Sequence, residues 1–156
     1  MDVSGSFDID VPIDKLWKII SDANEFSRCL PNLASSDVNG DKFNLRFNAD
    51  VSKYTKNFLG ASYLSNLNVK FNGKIEEKSE LKHVKISGNG SAVGLKFSLV
   101  LNIYINGDKS KSSAVWNASI DVGGMVKIFG QHTIESAVKD IVDQVINLVK
   151  YRAMSI

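Results

Sequence analysis

The sequence predicts an α+β fold in which a curved antiparallel sheet of about seven strands is closed by one long C-terminal helix over residues 128–152. Two observations predict it. Stretch after stretch between residues 43 and 122 alternates apolar with polar side chains, and the last long stretch places apolar side chains at three- and four-residue steps. Period two marks a strand with one dry and one wet face, and a step of three or four marks one face of an α-helix. A sheet wet on one side is antiparallel, because parallel sheets are covered on both faces. The dry face then needs the helix as its cover.

Taken in order, Val3, Gly5, Phe7 and Ile9 alternate with Asp2, Ser4, Ser6 and Asp8 and read as the first strand. Pro12 opens a helix on which Ile13, Leu16, Trp17 and Ile20 share a face. Asp22 reads as the N-cap of a second short helix through Phe26, and Pro31 bars its continuation. Asn39-Gly40 marks a hairpin. One parity then carries Phe43, Leu45, Phe47, Ala49 and Val51, followed by Leu67, Val69, Phe71 and Ile75, and by Val84 and Ile86. Two further strands repeat it with Leu95, Phe97, Leu99, Leu101, Ile103 and Ile105, and with Ala114, Trp116, Ala118, Ile120 and Val122. The glycine-rich residues 88–94 read as a hairpin connection. They lack the residues of a phosphate loop, and a strand follows where that motif needs a helix. On the final helix Ile134, Val138, Ile141, Val142, Val145, Leu148 and Val149 form the apolar stripe. Its length of roughly 35 Å matches a ten-residue strand of roughly 33 Å. The chain, 1–156, reads as a single domain of the helix-grip type.

At 156 residues with 44% hydrophobic and 23% charged side chains, the chain has material for a substantial core. The formal charge of +2 comes from scattered lysines, so nucleic acid is not expected as a partner. One cysteine, Cys29, cannot form an internal disulfide, which suits a reducing compartment. The start MDVSGSFDID has no signal-peptide core, and no stretch approaches the roughly 20 apolar residues of a membrane span. The expected location is cytoplasmic, with peripheral contact at the inner face of a membrane.

Chemistry is thin on the dry face. None of the inward-parity strand residues is Asp, Glu, His, Lys, Cys or Arg, so an acid, base or nucleophile is lacking there. The two histidines, His83 and His132, sit in no metal-ligand spacing, and neither metal nor cofactor is expected. Cys29 reads as a small buried apolar residue, with a Cys29 and His132 dyad as the reactive alternative. Glu76 and Glu77 read as solvated. An apolar ligand between helix and sheet would be lined by Phe47, Val69, Phe71, Phe97, Leu99, Leu101, Trp116, Val138, Ile141, Val142 and Val145. Two apolar connections, 54–64 with Tyr54, Phe58 and Tyr63, and 123–130 with Met125 and Phe129, would form its portal or pack as a plug.

Ser4-Gly5 in the first strand, Pro12 with Trp17 in the first helix, Asp22 and the turn Cys29-Leu30-Pro31-Asn32 resemble the G-type subunit family of carbon monoxide dehydrogenase, within the START-related, birch-pollen-allergen-like SRPBCC superfamily. Gly88, Gly90, Gly94 and Gly130 fit the same pattern. The family's turn commonly reads Cys-Ile-Pro-Gly, so Leu30 and Asn32 depart from it. The resemblance implies a helix-grip fold with a deep hydrophobic cavity. It also implies a non-catalytic accessory role beside a molybdenum hydroxylase of the carbon monoxide dehydrogenase type, with membrane recruitment or handling of a lipid or quinone. Some members carry an added hydrophobic C-terminal segment; none follows here, so stable anchoring is not expected. The superfamily also holds cyclases and dehydratases, which keeps an enzyme using Cys29, His132, Tyr54 or Tyr63 as the alternative, beside a purely protein-binding factor with a filled core.

Overall fold

A computed structural model describes residues 1–50 and 66–156. The elements run β1 (Asp2–Ile9), α1 (Ile13–Ile20), α2 (Ala23–Ser27), β2 (Leu33–Asn39), β3 (Lys42–Ala49), β4 (Leu67–Ser79), β5 (His83–Ala92), β6 (Leu95–Gly107), β7 (Ser112–Asp121), α3 (Met125–Phe129) and α4 (Gln131–Ser155). The strands form one seven-stranded sheet in the order β1-β7-β6-β5-β4-β3-β2, every neighbour antiparallel. This is the α+β helix-grip architecture that the two periodicities predict.

β1 and β2 are consecutive strands at opposite edges of the sheet. The chain crosses between them through α1 and α2, whose short length leaves room for α4 along the rest of the concave face. Leu16, Ile19 and Ile20 of α1 are fully buried, and Ile13 and Trp17 pack half-buried beside them. The Asp22 side chain caps α2 by accepting from the backbone N–H of Asn24 at 2.8 Å and of Glu25 at 3.3 Å, which satisfies donors the first helical turn leaves open.

Glycines within the sheet make room for aromatic rings on its inner face. Gly88 and Gly90 lie within β5, opposite Gly73 and Phe71 of β4. A Cβ at Gly90 would stand 2.5 Å from Cζ of Phe97, and one at Gly88 only 2.7 Å from Cζ of Phe71. The Phe71 and Phe97 rings stack nearly parallel, 6.1 Å apart, in the space that β5 side chains would fill. The hairpin expected over residues 88–94 is therefore corrected: β5 continues to Ala92, and only Val93 and Gly94 turn, both with positive φ. The long helix is corrected as well. Gly130 has φ 82° and ψ 152°, a conformation open to glycine, so Ile128 and Phe129 belong to α3 and α4 begins at Gln131.

Candidate functional site

Burial along α4 is uneven. Ile134 near its start and Val149 and Ala153 near its end are buried, whereas Val138, Ile141, Val142, Val145 and Ile146 in its middle are half-buried. Facing residues of β6 show the same gap: Ile103 and Ile105 are buried, and Phe97, Leu99 and Leu101 are not. Apolar side chains turned inward yet incompletely covered surround empty space, and the space is a cavity of about 300 Å³. That volume stands at the lower end of the range of small-molecule sites.

The structure brings the expected lining together. Phe47, Val69, Phe71, Phe97, Leu99, Leu101 and Trp116 from the sheet, and Val138, Ile141, Val142 and Val145 from α4, all stand on the cavity wall. Met125 and Phe129 line it too. Tyr54, Phe58 and Tyr63 lie outside the described residues. Sequence reasoning missed Ile20, Phe26 and Leu30, which α1, α2 and the turn after them contribute to the wall. It also passed over Phe43 and Leu45, although their parity on β3 is that of Phe47.

Among the described residues the wall has two side chains with a polar atom, Thr133 and Trp116. Neither titrates near neutral pH. Cys29 is fully buried away from the cavity wall; its Sγ–H donates to the Glu25 carbonyl at 3.6 Å. Burial pushes its thiol up to about 12, against the weaker pull of nearby Arg152, so it does not supply a thiolate. His132 is exposed. The Cys29 and His132 dyad therefore has neither partner on the cavity. His83 sits on the sheet's outer face, its Nε2 2.8 Å from Asn102 Oδ1 and its ring stacked on Tyr104. Glu76 accepts from Ser87 Oγ at 2.6 Å in an exposed cross-strand pair. No group of acids, histidines and cysteine suited to a metal ion occurs among the described residues, and no helix there is long and apolar enough to cross a membrane.

The family model of the carbon monoxide dehydrogenase G-type subunit (CoxG) matches residues 5–154. The chain belongs to the CoxG family. Its fold is shared with a conserved protein of Geobacillus kaustophilus at 15% identity and a TM-score of 0.78, over 99% of this chain and 96% of that one. An aromatase/cyclase from Streptomyces sp. R1128 is similar at 11% identity and a TM-score of 0.67, over 99% and 93% of the two chains. No curated protein matches the chain. At such identities the likenesses speak for the helix-grip fold and not for an activity.

Proposed function

We propose that this CoxG protein is a non-catalytic binding module that holds an elongated apolar molecule, a lipid or quinone-like compound, between α4 and the sheet, as an accessory factor to a molybdenum hydroxylase of the carbon monoxide dehydrogenase type. The observation that carries the reading is the half-buried apolar middle of α4 facing a cavity of about 300 Å³. A guest that covers about 250 Å² of apolar surface there gains about 6 kcal/mol before the costs of immobilisation. Phe47, Val69, Phe71 and the other hydrocarbon side chains of the wall act by burial. Val93 lines the cavity while 52% exposed, so the portal lies at the β5–β6 turn and α3, with Met125 and Phe129 beside it. Peripheral contact with the inner face of a membrane would bring such a portal to its source of apolar molecules.

The test is solvent extraction of protein purified from its native source, followed by mass spectrometry. The reading expects a near-stoichiometric apolar compound and a co-purifying oxidoreductase. Protein that is clean, and whose melting temperature is unmoved by fatty acids or quinones, would contradict it. The cyclase reading draws on the aromatase/cyclase likeness. It would need a proton donor or acceptor at the cavity, a role for which Tyr54 and Tyr63 are the remaining candidates.

A further inference from the structure

Trp116 stands on β7 opposite Gly5 of β1 and Ile103 of β6. Its indole fills the place of a side chain at residue 5, where a Cβ would lie 2.8 Å from Cζ2 and 3.1 Å from Nε1. Trp116 is 8% exposed, and its Nε1 is buried with no hydrogen-bond partner among the described residues. That is unusual. Indole N–H groups are donors only, and a buried one nearly always finds an acceptor, because a dry donor has given up water for nothing. The same side chain lines a cavity whose described wall is otherwise apolar except for Thr133.

We propose that Trp116 is the polar anchor of the cavity, and that the guest is an apolar molecule bearing one hydrogen-bond acceptor of the carbonyl type, which takes the Nε1–H. This rests on the binding reading above and deepens it by naming the group that orients the guest. The ring rests on the bare backbone of Gly5 and makes no hydrogen bond among the described residues, so a tilt toward a guest breaks none there. The arrangement follows the general design of ligand sites, a large apolar surface with one placed polar group that fixes orientation. Specificity follows from the same orphan donor: a guest without an acceptor leaves it unpaired, and a guest with one satisfies it.

The experiment compares 2-decanone with decane as competitors for a bound apolar fluorophore, on the full chain and on Trp116→Phe, which keeps a ring and removes the donor. On substitution the ketone should lose about two- to tenfold more affinity than decane, the size of one neutral hydrogen bond. On the unsubstituted protein, the Trp116 indole proton resonance should move downfield with the ketone and stay in place with decane. Equal losses for both competitors, or an indole resonance indifferent to the carbonyl, would overturn the anchor while leaving apolar binding intact. Displacement by neither compound would overturn the binding reading itself. The resonance measurement holds even if Trp116→Phe folds poorly.

Discussion

Glu25 on α2 and Arg152 near the end of α4 form an ion pair across 127 positions of sequence. It ties the helix pair that crosses the sheet to the helix that covers it. Both side chains are more than two-thirds buried, at 19% and 26% exposure, so water screens the pair less than it would on an open surface. The hydrogen bond from Arg152 holds the Glu25 carboxyl below its ordinary value of 4.5, against the opposing pull of burial.

A pH dependence follows. Because the folded carboxyl titrates below its ordinary pKa, the pair's contribution is complete above about pH 4.5 and is lost as pH falls through the lowered value. Glu25→Gln should cost about 1–2 kcal/mol in urea unfolding at pH 7. The gap to the parent should narrow as the pH falls below about 4.5 and through the lowered value. A gap that stays constant through acid titration would show that the pair does not titrate as described.

Gly5→Ala tests the seat of the indole. The new Cβ would meet Cζ2 of Trp116 at 2.8 Å and push on the indole ring. Loss of about 1–3 kcal/mol is expected, as for other overpacked core sites, with a change in tryptophan fluorescence. Unchanged stability and spectrum would place the ring elsewhere.

Val93 is a β-branched residue in the left-handed region, at φ 54°, followed by Gly94 at φ 74°. Two positive φ values in a two-residue hairpin are the geometry for which Asn-Gly is the favoured pair. Val93→Asn should therefore raise stability by about 1 kcal/mol, read as a higher midpoint in thermal or urea unfolding. A lower midpoint would mean that the apolar contact of Val93 at the cavity outweighs its backbone strain.

Much of this was legible in the residues because alternation is a local signal. Phe97, Leu99 and Leu101 share a parity with Ile103 and Ile105, so they had to face the helix, and the wall followed from that. Gly88 and Gly90 misled for a physical reason: glycine marks turns, yet here it makes room within a strand for the rings of Phe71 and Phe97. The start of α4 was hidden because its break is the backbone conformation of Gly130, whose φ no periodicity records. Ile20, Phe26 and Leu30 reach the cavity only through the crossing of α1 and α2 from one sheet edge to the other, a tertiary fact. Nor does parity distinguish a filled interior from a hollow one. That rests on the half-burial of Val138, Val142 and Val145.

The hollow itself is tested most directly by filling it. Val142→Phe adds a ring at the middle of α4 where Val142 lines the cavity, and thermal unfolding is followed with and without an apolar ligand such as 2-decanone. The account predicts that the ligand raises the melting temperature of the parent, as any molecule bound only to the folded state must. It predicts that Val142→Phe is at least as stable as the parent and no longer responds. A variant destabilised by about 1–3 kcal/mol, as overpacking of a full core would be, together with a parent indifferent to the ligand, would contradict it.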